Sequence, residues 1–151
     1  METQKTSPWM IAFRILFTAA LIGSIVFIFR NSLQVAAVSS DRSYQVMKIV
    51  NSVLAKVNLG PLSQHVIRKL AHFCEFALLG LLLCYSFSAV GVSNRTATGY
   101  ILFFALFAAV LDEYIQSFSP GRACRVTDVL LDFSGVFCAW LEYRIWQWCR
   151  R

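Results

Sequence analysis

Tyr100-Ile-Leu-Phe-Phe-Ala-Leu-Phe-Ala-Ala-Val110 is an unbroken apolar run, and Leu111 carries it into Asp112-Glu113-Tyr114-Ile115-Gln116. A charge inside hydrocarbon costs at least about 2.5 kcal/mol on insertion scales, so ionisable residues in such a run mark function by default. The rest of the chain repeats the pattern. Its 151 residues are 58% hydrophobic, include 13 Phe and are only 15% charged, with a mean hydropathy of +0.60. Soluble domains use roughly 45–50% apolar residues, and several runs here reach the roughly 20 residues that a membrane-crossing helix needs. The composition predicts a membrane protein that crosses the bilayer several times.

Spans are expected at about 9–29, 70–90, 97–117 and 127–148, giving an all-α membrane protein of one domain, 1–151. Four transmembrane helices in a compact bundle put both termini on one side. The first run is too long for a cleaved signal peptide and no A-x-A-like site follows it; Arg14, near its start, can snorkel to the interface. Between the first two spans, Val46, Ile49, Val50, Val53, Leu54 and Val57 recur at helical spacing, with Lys48, Asn51, Ser52 and Lys56 elsewhere on the wheel. That pattern predicts an amphipathic helix lying in the membrane interface. The links Gly91-Val92-Ser93-Asn94-Arg95 and Phe118-Ser119-Pro120-Gly121-Arg122 are short and turn-rich.

A formal net charge of +6 suits anionic lipid at span ends, and no nucleic-acid motif accompanies it. Lys5, Arg14, Arg95, Arg144, Arg150 and Arg151 lie on the terminal side. On the other side, Arg68, Lys69, Arg122 and Arg125 stand beside intramembrane acids and say little about topology; without them the balance tips toward cytoplasmic termini. The cysteines at 74, 84, 124, 138 and 149 form no C-x-x-C pair, and all but Cys124 fall in or at the end of apolar runs, as small buried hydrophobes do.

Polar residues converge at one membrane face. Arg68, His72 and Glu75 share a stripe of the second span with Lys69 at its edge; Asp112 and Gln116 share a face of the third, flanked by Glu113; Arg125, Asp128, Asp132 and Gly135 share a stripe of the fourth. Glu75 lies about 9 Å along from Lys69, Asp132 about 6 Å beyond Asp128, and Asp112 about 6 Å before Gln116. All three sets therefore meet in one conical, half-buried pocket beside the Pro120-Gly121 turn, which presents Arg122 at its mouth. Gly80 and Gly135 read as close helix-packing positions.

Three functions compete for this pocket. His72, Glu75 and Asp132 have the types and spacing of a site for a divalent cation, although H-x-x-E is common by chance. Lys69, Arg122 and Arg125, beside the N-terminus of the fourth helix, suit an anionic headgroup or phosphate, with Arg68, Glu113, Gln116, Asp128 and Asp132 completing the lining. Glu75, Asp112 and His72 would then be the catalytic acid or base. A proton or cation relay is disfavoured because Leu78 to Leu83 closes the other half of the membrane. The structural alternative is an assembly protein whose ion pairs lock the helices, with Asp128 as N-cap of the fourth.

Arg68-Lys69-Leu-Ala-His72-Phe73-Cys-Glu75-Phe76-Ala-Leu-Leu-Gly80, Asp112-Glu113-Tyr-Ile-Gln116-Ser-Phe-Ser-Pro120-Gly121-Arg122 and Asp128-Val-Leu-Leu-Asp132-Phe-Ser-Gly135 resemble the VanZ-like family of bacterial membrane proteins. Upstream, Asn31-Ser32-Leu33-Gln34 with Ser39, Ser40 and Ser43 is similar to the family's first loop. The resemblance implies a protein of the bacterial cytoplasmic membrane whose namesake is associated with low-level teicoplanin resistance; it implies no particular reaction. The family's polar positions fall on Arg68, Lys69, His72, Glu75, Asp112, Glu113, Gln116, Arg122, Asp128 and Asp132. Phe76 departs from the pattern, where Tyr is the more usual residue. Together these features lead to an expected ligand that is a membrane lipid or a lipid-linked cell-envelope precursor, bound or chemically modified at its polar headgroup. Protein partners are not legible.

Overall fold

The computed structural model describes residues 7–150, so Lys5 and Arg151, used above in weighing orientation, lie outside the described residues. Five helices follow one another: α1 Pro8–Ser32, α2 Ala36–Lys56, α3 Gln64–Val90, α4 Asn94–Ser117 and α5 Val126–Cys149. The described residues contain no strand. All four segments expected to span are helical, and each extends beyond its expected bounds. α3 gains most, because Ser63 caps it by accepting a hydrogen bond from the Val66 N–H, adding a polar turn before the apolar run begins. Gly91, at φ 80°, ends α3 in the left-handed conformation, and Ser93 caps α4 through the Thr96 N–H.

α1, α3 and α4 are long and apolar enough to cross a membrane. α5 matches them in length but carries Asp128, Asp132, Glu142 and Arg144, and is not among these candidate spans. It packs most extensively against α3, which also meets α1, α4 and α2. Arg125, not Asp128, is the N-cap of α5; Asp128 lies in the first turn. Arg14 donates from Nε to the Ala89 carbonyl at 2.8 Å, so this arginine satisfies the C-terminal turn of α3.

α2 is longer than the expected 46–57 pattern and buries none of its residues. Side-chain bonds fasten it at both ends. Asn51 donates to the Leu62 carbonyl at 3.1 Å and accepts from the Leu62 N–H at 2.9 Å, while Gln64 Nε2 donates to the Ser40 carbonyl at 2.7 Å. Its first N–H, of Ala36, donates to the Pro120 carbonyl at 3.2 Å. Cys84 is buried and Cys124 exposed, as their places in the sequence suggest, but Cys74, Cys138 and Cys149 depart from expectation in being exposed.

Phe76, Leu79, Leu83, Ala105, Ala109 and Val136 form the buried centre. Two glycines let α3 and α5 approach closely. A Cβ at Gly135 would stand 2.5 Å from the Phe73 carbonyl oxygen, and one at Gly80 would stand 2.9 Å from the Val136 Cα. Both obstacles are backbone, so neither can yield without shifting a helix. Gly135→Ala should therefore destabilise the protein by about 1–3 kcal/mol, seen as a lower melting midpoint in detergent. Gly99→Ala, where nothing lies within 4 Å of the added Cβ, should leave the midpoint unchanged or raise it.

Candidate functional site

The α3–α5 contact brings the start of α3 beside the start of α5, and the end of α4 closes the third side. Between them, under the 118–125 loop, lies a cavity of about 250 Å³. Arg68, Lys69, His72, Glu113, Gln116, Arg122, Arg125, Asp128 and Asp132 all line it. Glu75 and Asp112 do not; they stand behind the wall.

Asp112 is fully buried, and both its oxygens are held. Ser32 donates from Oγ to Oδ1 through a short hydrogen bond, and Gln116, one turn along α4, donates from Nε2 to Oδ2 at 2.7 Å. Glu113 faces the other way and accepts from the Arg125 N–H at 2.8 Å, tying the end of α4 to the N-cap of α5. Glu75 accepts from Asn31 Nδ2 at 3.3 Å and so points toward α1. Asp132 is 1% exposed, and neither of its oxygens has a hydrogen-bond partner. Next to it stands His72, whose Nδ1 is 3.8 Å from Asp132 Oδ1 and 4.0 Å from Asp112 Oδ2. The trio with donor atoms close together is thus His72, Asp112 and Asp132, all within 4.8 Å of one another, rather than the expected His72, Glu75 and Asp132.

The cations are distributed differently from the acids. Lys69 Nζ lies 3.7 Å from Asp128 Oδ1, and among the described residues this is the one Lys or Arg ion pair with a carboxylate. Gly121, at φ 78°, turns the loop so that Arg122 enters the cavity, where Nη1 donates to the Ser32 carbonyl at 3.5 Å and Nε has no partner. Burial lowers the Arg122 pKa, the charge of Arg68 adds to that, and Asp112 and Glu113 oppose it. An arginine stays charged under such a shift, so the loop presents a partly desolvated cation to the cavity.

Four contributors were missed as site residues by the sequence reading. His65 lines the cavity mouth, Asn31 and Ser32 hold Glu75 and Asp112, and Ser119 donates to the Ser32 carbonyl at 3.0 Å. Asn31-Ser32 follows an apolar run, as Asp112-Glu113 does, and that shared position was the available signal.

The family model VanZ/LLP1 matches residues 17–147. No curated protein matches the chain, and no solved structure does. With the family model covering most of its length, the chain belongs to the VanZ/LLP1 family.

Ser32→Ala would remove the donor to Asp112 Oδ1 and leave a buried carboxylate oxygen without a partner. The expected cost is about 1–3 kcal/mol, measured as a lower melting midpoint with unchanged helical content. An unaltered midpoint would mean that the Ser32 hydroxyl does not support Asp112.

Proposed function

We propose that this VanZ/LLP1 protein binds the phosphorylated headgroup of a lipid-linked cell-envelope precursor in the α3–α4–α5 cavity. The observation that carries the reading is the state of the cations: four line the cavity, and Lys69 alone is engaged in an ion pair. Arg68, Arg122 and Arg125 remain available to phosphate oxygens, with the N-terminal turn of α5 adding its dipole. Cations held only to lock helices would be paired with acids, which weighs against the assembly-protein alternative.

An apolar cleft of about 480 Å³ between α1, α3 and α4 supports a lipid as the carrier of that headgroup. Its lining includes Phe29 and Leu111, so its inner end lies one residue from Asp112 and two from Asn31. In this reading α5 joins α1, α3 and α4 as a fourth span, its acids shielded in the site, and α2 lies in the interface. Both termini are then cytoplasmic and the cavity opens on the outer face of the bacterial cytoplasmic membrane. If the bound lipid is chemically altered without a bound cation, His72 is the acid–base group that reaches it; Asp112 and Glu75, absent from the cavity lining, support from α4 and α3. Through such a precursor the protein would bear on teicoplanin susceptibility.

The test is thermal stability in detergent with added polyprenyl phosphate. At 100 times its dissociation constant a ligand adds about 2.7 kcal/mol to the folded state, and Arg122→Ala with Arg125→Ala should abolish that gain while the helices persist. In a second arm, Lys69 and Asp128 are exchanged for each other. The exchange should preserve the fold and the lipid-induced gain, since the three unpaired arginines remain; a wild type unmoved by polyprenyl phosphate, or a folded Arg122→Ala, Arg125→Ala protein that gains as much as wild type, would overturn the proposal.

A further inference from the structure

Deepening the headgroup reading, on which its functional role rests, we propose that His72, Asp112 and Asp132 form a site for one divalent transition-metal cation at the inner wall of the cavity. The spacing is the first reason. His72 Nδ1 stands 3.8 and 4.0 Å from the two carboxylates, beyond hydrogen-bond reach of either. Around an ion with bonds near 2.1 Å, tetrahedral donors stand about 3.4 Å apart, so a small inward movement of three side chains brings three donors to ligating distance.

The second reason is independent of spacing. Asp132 is 1% exposed, faces the cavity, and has no hydrogen bond to either oxygen. A buried carboxylate without partners is among the most expensive arrangements a protein can hold, and a bound cation removes that cost. No Lys or Arg among the described residues does so, because none pairs with Asp132 or Asp112.

Support for the ligands is already built. Ser32 and Gln116 fix the Asp112 carboxylate, as outer-shell donors fix metal-bound carboxylates elsewhere. A single imidazole with two carboxylates suits Zn²⁺ or Mn²⁺ better than Mg²⁺ or Ca²⁺, which favour all-oxygen shells. His72 and Asp132 line the same cavity as Arg68 and Arg122, so a cation held there would share a phosphate oxygen with the two guanidiniums. The competing arrangement is a protonated His72 bridging two aspartates with no ion.

To decide, the full-length protein is purified in detergent, stripped with a chelator and titrated with Mn²⁺, free ion being read by electron paramagnetic resonance and Zn²⁺ uptake by elemental analysis. Wild type should take up about one ion per chain and melt higher when loaded, as metal binding adds to folding. Asp132→Asn should weaken binding at least about tenfold. Should that variant fail to fold by circular dichroism, His72→Gln, at a partly exposed position, should show the same loss. No ion on wild type, or unchanged affinity in a folded His72→Gln protein, overturns the site. The titration contains no polyprenyl phosphate, so the two proposals fail separately: uptake of the ion without any lipid-induced shift sinks the headgroup reading alone. A lipid-induced shift in a wild type that takes up no ion when titrated sinks the metal site alone.

Discussion

The approach of α5 to the Phe73 carbonyl at Gly135 is the constraint on which the site depends. Gly135 lies one turn from Asp132, and Phe73 follows His72, so the contact that sets the interhelix distance also sets the distance from imidazole to carboxylate. A side chain at 135 would separate the backbones at the level of the site. Small residues at membrane helix contacts are usually discussed as a packing device; here the packing fixes where a histidine and an aspartate meet.

The buried acids, Asp112, Glu113 and Asp132, are confined to one half of the bundle. Phe76, Leu79, Leu83, Ala105 and Val136 fill the centre below the site, and among the described residues no Asp, Glu, Lys or Arg is buried with them. In a low dielectric this division matters because charges interact strongly with one another while the apolar half offers them no solvation. The acids divide by environment as well. Asp112 and Glu113 are neighbours in sequence, yet one is held by Ser32 and Gln116 while the other accepts the Arg125 N–H across a loop. Asp132 is left without such partners.

Much of this was legible in the sequence. The helical stripes carrying Arg68 and His72, Asp112 and Gln116, and Asp128 and Asp132 do meet, because residues about four apart share a face and the three runs reach the same loop end. The fate of Glu75 was not legible. Three residues after His72 it is rotated about 60° around the helix, enough to turn one side chain toward α5 and the other toward Asn31 of α1. Spacing within a helix gives relative direction, but not which neighbour occupies each direction. The same limit hid Ser32, whose importance comes from α1 packing against α4, eighty residues later in the chain. The start of α3 was placed late because hydropathy reports the apolar run and not the polar turn that Ser63 caps.

The Ser32 carbonyl, which accepts from both Ser119 and Arg122, gives α1 a part in the site although it contributes no side chain to the cavity lining. Every lining residue falls between 65 and 132. A fragment beginning at α3 would therefore hold the complete inventory of cavity side chains and still lack the template that shapes them. Its loop would lose its anchor, Glu75 would lose Asn31, and Asp112 would lose Ser32 and keep only Gln116. The N-terminal helix acts on this cavity as a scaffold in trans to its chemistry, so complementation of such a fragment by a separately expressed α1 would restore geometry without adding a single cavity-lining group.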